Sequence, residues 1–162
     1  MYQSHLDTVS RAVLEGDLAT ILQHIALPNM MSTRTKRVVA TCPEEMDVIV
    51  SDIRAQLLAR NVTEFRRTCI EADFVAGVPD MIVGRHRTEA LSHGVPVLPE
   101  YAGSMAMMRI NGTWQGIWLD TDADDLAVTM LSADFIEASD RVRRAVETGG
   151  PTGQPPMKGP DQ

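Results

Sequence analysis

The stretch YAGSMAMMRINGTWQGIWLDT, residues 101–121, decides the fold. Tyr101 to Ile110 and Thr113 to Thr121 both have strand character, and Asn111-Gly112 between them tolerates the positive backbone angles of a two-residue hairpin turn. A turn of that length pairs Ile110 with Thr113, Arg109 with Trp114, Met107 with Gly116 and Met105 with Trp118. One face of the hairpin then carries Ala106, Met108, Ile110, Ile117 and Leu119. The other carries Tyr101, Met105, Met107, Arg109, Trp114 and Trp118. Neither face alternates to polar residues, so both must be covered. The aliphatic face suits a layer of helices. Trp, Tyr, Met and Arg are enriched at subunit interfaces, so the second face is expected to join two copies of the chain as a homodimer. Arg109 across from Trp114 also suits a cation-π contact.

Working outward, a two-residue period predicts strands over Glu64 to Val75 and Met81 to Leu91, with Gly77-Val78-Pro79-Asp80 closing a hairpin between them. Upstream the period lengthens. Tyr2, Leu6, Val9 and Val13 share one helical stripe that Gly16 ends, and Asp17 caps a second helix carrying Leu18, Ile21, Leu22 and Ile25 until Pro28 stops it. Met30 to Ala40 suits short strands or an irregular hairpin. Thr41-Cys42-Pro43-Glu44 has capping-box spacing and starts a third helix, with Met46, Ile49, Ile53 and Leu57 on its apolar stripe and Asn61 as a left-handed terminator. Beyond Asp120, Leu131, Phe135, Ala138, Val142 and Ala145 recur at helical spacing. From Gly149 to Gln162, Gly and Pro fill 8 of 14 positions, which predicts a flexible tail.

This order of elements, ending in the Arg109-Ile110-Asn111-Gly112-Thr113-Trp114-Gln115-Gly116-Ile117 hairpin, resembles the nuclear transport factor 2-like (NTF2-like), or SnoaL-like, superfamily. The resemblance covers roughly residues 2 to 122 and rests on shape more than on motifs. It implies an α+β fold in which N-terminal helices pack into a strongly curved antiparallel sheet, the cystatin-like cone. On that reading 1–122 is the cone domain, 123–148 a C-terminal helical extension and 149–162 the tail. Members of the superfamily include isomerases, dehydratases, polyketide cyclases, dioxygenase small subunits and proteins without known catalysis, so function must be read from the site.

The chain has 162 residues and 17.8 kDa, enough for one domain with a sizeable core. Its 15 Lys and Arg against 22 Asp and Glu leave a charge of −7, which argues against nucleic acid and anionic membrane surfaces as partners. No apolar run is long enough to span a bilayer, and the first residues lack the pattern of a signal peptide, so a cytoplasmic location is expected. Cys42 and Cys69 read as small hydrophobes.

A four-residue loop at 77–80 would set Glu71 opposite His86 and Cys69 opposite Thr88. A carboxylate holding an imidazole could make His86 a base toward a carbon beside a carbonyl, so Glu71 and His86 are the candidate catalytic pair. The plainer reading is a solvated cross-strand pair. Met30, Met46, Met81 and Met108 are candidate pocket-lining residues because Met adapts to irregular ligands, although it also fills cores. No metal site is expected. His5, His24, His86 and His93 lie on different elements, and the acidic run at Asp120 lacks the Gly and Glu of a calcium loop. No cofactor motif occurs. The sequence thus points to a dimeric, cofactor-free protein with a pocket for a small, mainly apolar organic molecule. The alternatives are an acid-base isomerase, dehydratase or cyclase acting on a carbonyl compound, and a non-catalytic protein-interaction module.

Overall fold

The computed structural model describes residues 1–123. The helix expected beyond Ala123 and the tail at 149–162 lie outside the described residues. Helix α1 (Tyr2–Glu15) ends where Gly16, at φ 77°, turns left-handed and the Gly16 and Asp17 amides return to the Val13 and Ala12 carbonyls. Helix α2 (Leu18–His24) starts on Asp17, whose carboxylate accepts from the Thr20 amide at 3.0 Å. Strand β1 (Ile25–Ser32) follows at once, so Pro28 lies inside a strand and does not stop the helix. It occupies an exposed position where the ladder is interrupted, and no amide donor is needed there. Then come β2 (Arg37–Ala40), α3 (Pro43–Ala59), β3 (Glu64–Phe74), β4 (Met81–Ser92), the short β5 (Val95–Pro96), β6 (Tyr101–Ile110) and β7 (Thr113–Thr121). Helix α3 buries Met46, Ile49, Ile53 and Leu57 as its spacing predicts. Its cap is offset by one residue from the expectation: Glu45, not Glu44, accepts from the Thr41 amide and hydroxyl.

The strands form one curved sheet in the order β2-β1-β7-β6-β4-β3, with β5 added to β4. Every pairing is antiparallel except β1 with β7. The sheet is therefore mixed, not antiparallel throughout. The first and last strands can run parallel because the rest of the domain lies between them in the chain as a long crossover. Asn111 and Gly112 take positive φ at the expected hairpin, and Ile110, Arg109 and Met107 meet Thr113, Trp114 and Gly116 as expected.

Beyond that point the register departs from expectation. A bulge at Ile117 sets Ala106 opposite Trp118 and Met105 opposite Leu119. The helices cover the face carrying Tyr101, Met105 and Met107, all buried. Met105 and Met107 pack with Tyr2, Leu6 and Ile82, while Tyr101 packs with Leu98 and Ala123. These three residues therefore cannot form the expected dimer interface. Trp114 is half-buried against Phe74, Arg109 is exposed beside Asp80, and Trp118 faces outward. For β6 the sequence assigned the two faces the wrong way round because residue type alone does not say which face the helices reach, while the bulge returns Leu119 to the inner face and Trp118 to the outer one as expected.

Strand β3 is a sheet edge, and α1 protects it in an unusual way. The Gln3 side-chain amide donates to the Arg67 carbonyl at 2.8 Å and accepts from the Cys69 amide at 2.7 Å, standing in for one residue of a neighbouring strand. Gln3→Ala should leave both backbone groups without that partner and lower unfolding stability by about 1–2 kcal/mol, read as a reduced urea midpoint.

Candidate functional site

The inner face of the sheet and the helices enclose a cavity of about 60 Å³. Its apolar wall includes Ile21, Met31, Met46, Ile49 and Ile53. Its polar wall is made by Arg67, His86, Thr88, Tyr101 and Thr121. Strand alternation puts the polar set there: Phe65 and Arg67 point inward from β3, His86 and Thr88 from β4, and Tyr101 from β6, while Arg66, Arg85 and Arg87 point out.

Arg67 is the centre of this wall. Only 7% of it is exposed, and its guanidinium donates from Nε to the Ser10 hydroxyl at 2.7 Å and from Nη2 to the Leu6 carbonyl at 3.3 Å. Nη1 donates to no described residue, and no carboxylate of the described residues lies within ion-pair distance. A guanidinium stays protonated in proteins, so a full positive charge sits inside the cone, although burial pulls its proton affinity down. Arg67 also borders a surface groove between α1 and β3 that Ser10, Arg11 and Glu64 help to line.

His86 lies beside it, 1% exposed. Its Nδ1 is 2.9 Å from the Tyr2 hydroxyl. Burial pushes the Tyr2 phenol well above its ordinary range, so it keeps its proton, and we assign that proton to the bond with His86 Nδ1 and the imidazole proton to Nε2. Nε2 is buried with no hydrogen-bond partner. The ring fits there because position 103 has no side chain: a Cβ on Gly103 would come within 2.7 Å of Nε2. Burial, reinforced by the nearby Arg67 charge, lowers the His86 pKa to about 3, and the imidazole is neutral near pH 7. Tyr101 is raised to about 12 by burial, against the opposing pull of Arg67 and of its hydrogen bond with Thr88.

The expected catalytic pair is not assembled. The β3–β4 loop is longer than four residues in effect, since the Val75 amide bonds the Met81 carbonyl and Phe74 pairs with Ile82. A bulge at Ile70 shifts the register again, leaving Cys69 opposite His86 and Glu71 opposite Arg85. Glu71 makes an exposed 3.5 Å ion pair with Arg85 on the outer face, remote from the His86 ring. Of the four methionines expected to line the pocket, only Met46 does so. Met30 pairs with Trp118 on the outer face, and Met81 pairs there with Met108. Met31, next to Met30, takes the inward position by alternation. Arg67 was legible only as part of an Arg66-Arg67 basic pair. The signal that could have separated them is the inward parity of Phe65, Arg67 and Cys69.

No family model matches the chain, and no curated protein is detectably similar to it in sequence. Similarity to solved structures is clear. An NTF2-like protein of unknown function from Shewanella oneidensis MR-1 superposes with a TM-score of 0.56 at 13% identity, covering 74% of this chain and 95% of its own. The chain has the NTF2-like fold. A cystatin-like-fold protein of unknown function from Nostoc punctiforme PCC 73102 gives a TM-score of 0.58 at 15% identity, covering 75% of this chain and 86% of its own. A de novo designed protein with a curved β-sheet gives 0.52 at 8% identity, covering 76% of this chain and all of its own. The NTF2-like cone is thus shared at low sequence identity. Among the described residues no His, Cys, Asp or Glu cluster is arranged to hold a metal, and no helix is long and apolar enough to cross a membrane.

A second histidine, His5 on α1, is also buried and lowered to about 3, by burial first and then by Arg67 and His24. Unfolding would return both imidazoles to about 6.5. With folded values below unfolded ones, the unfolded chain takes up protons first as pH falls. Stability is therefore flat above 6.5 and lost progressively between 6.5 and 3, by about 2 kcal/mol per histidine at pH 5. Urea unfolding at neutral and mildly acidic pH should show this loss, and His86→Asn should remove about half of the pH dependence.

Proposed function

We propose that this chain is a homodimeric, non-catalytic binding protein that takes a small, mainly apolar organic molecule into the interior of the cone. The observation that carries the reading is the cavity itself, apolar on the helix side and polar on the sheet side. Binding is favoured over acid-base catalysis because Glu71 lies on the other side of the sheet and His86, its pKa lowered to about 3, is too weak a base to abstract a carbon-bound proton. The cavity has room for about four water molecules, and it is smaller than the ~150 Å³ space that takes benzene. A graded series of alcohols, ketones and amides should raise the melting temperature for members of up to about five heavy atoms and then stop doing so. No response to any member would overturn the reading.

Support for the dimer comes from the outer face, where the half-buried Val39, Met30, Trp118 and Val83 flank the already buried Ala106 in a row across five neighbouring strands. A second copy laid on that row would bury it. Trp118→Glu should weaken self-association by at least about 100-fold in sedimentation equilibrium. A wild-type chain sedimenting at 17.8 kDa would reject the dimer.

A further inference from the structure

The buried charge says more about the ligand than the cavity's size does. Arg67 is removed from water with no carboxylate of the described residues within ion-pair distance, and such a charge carries a desolvation cost of several kcal/mol. Its bonds to Ser10 and Leu6 occupy Nε and Nη2 and bring no negative charge. Nη1 has no described partner, and the residue lines the cavity. The hydroxyls of Thr88 and Tyr101 stand on the same wall, and the opposite wall is hydrocarbon from Ile21, Met46 and Ile49. The chain carries a net charge of −7, so this interior cation does not belong to a generally basic surface.

We propose that the cone is a receptor for a short aliphatic monocarboxylate of about two or three carbons, its carboxylate held by the Arg67 guanidinium and its alkyl end against Met46 and Ile49. This rests on the cavity being the binding site, as set out above. The chemistry selects this class on two counts. One cation suits one negative charge, and a doubly charged phosphate would bring a second charge into the cone with nothing to balance it. A bare inorganic anion would leave the apolar wall facing water, whereas an alkyl tail covers it. Arginine offers the planar fork that matches a carboxylate, and Nη1 is the nitrogen still available to donate.

The test compares acetate and propionate with acetamide and propionamide, which have the same heavy-atom count and no charge, by titration calorimetry near neutral pH with sodium chloride at matched ionic strength as control. Wild-type protein should bind the acids at least about 10-fold more tightly than the amides, the range expected of a charge-assisted hydrogen bond. Arg67→Met, which keeps the volume and removes the charge, should bring acid and amide to within about twofold of each other. Arg67→Lys, which keeps the charge but not the fork, should retain part of the preference and serves as the folded comparison should Arg67→Met not fold. Acids and amides binding wild-type protein equally would overturn the carboxylate assignment and leave the cavity reading standing. Neither class binding would overturn both. An acid preference that survives Arg67→Met would show that the anchor is another group, and chloride matching the acids would show a site without the carboxylate selectivity proposed here.

Discussion

The interior of this protein is organised around the guanidinium of Arg67. Its hydrogen bonds to Ser10 and the Leu6 carbonyl pin the middle of α1 to β3, so the same side chain that docks the first helix also sets the electrostatics of the space beneath it. Four neighbouring groups register its field: His5 and His86 are driven further toward neutrality, and the Tyr2 and Tyr101 phenols are partly relieved of the cost of burial. In a low-dielectric interior one unbalanced charge reaches all of them, because little water intervenes to screen it.

The sheet makes room for that arrangement by giving up side chains at two places. Gly84 on β4 lies under the Tyr2 ring and Gly103 on β6 lies under His86, where a Cβ would approach ring atoms to 2.7 Å in each case. The two rings therefore lie close against neighbouring strands and hydrogen-bond to each other, linking the N-terminal turn of α1 to the centre of the sheet. The bulges at Ile70 and Ile117 do complementary work. Each inserts an unpaired residue, increases local twist and changes which residues point inward. A flat sheet of the same length would neither wrap α1 nor present Arg67, His86 and Tyr101 to one space.

A fold shared with proteins of 8–15% identity carries little chemical information of its own. A designed chain with a curved sheet reaches a similar shape, so curvature and helix packing are sufficient for the cone. The chemistry of this chain has to be read from the content of its interior. Its helix side is hydrocarbon, and its sheet side combines a cation, a neutral imidazole and hydroxyls. The two walls face each other across the cavity, and burial keeps the His86 imidazole neutral near neutral pH.

The local periodicities were enough to read most of the architecture. Helical stripes such as Tyr2-Leu6-Val9-Val13 and Met46-Ile49-Ile53-Leu57 fall where they do because burial rewards a repeat near 3.6 residues, and Asn111-Gly112 marks its hairpin because both residues accept positive φ. Face and register across the sheet were not readable in the same way. The extra residues at Ile70 and Ile117 have no local signature, yet each reverses inward and outward for all that follows on its strand. The longer β3–β4 loop is why Glu71 parted from His86, and the bulge at Ile117 is why Met105 came to face Leu119 in place of Trp118. Arg67 looked like one half of a surface pair until α1 was laid over β3. A charge becomes a site only when packing takes the water away, and which charge loses its water depends on contacts 57 and 61 residues apart in the chain.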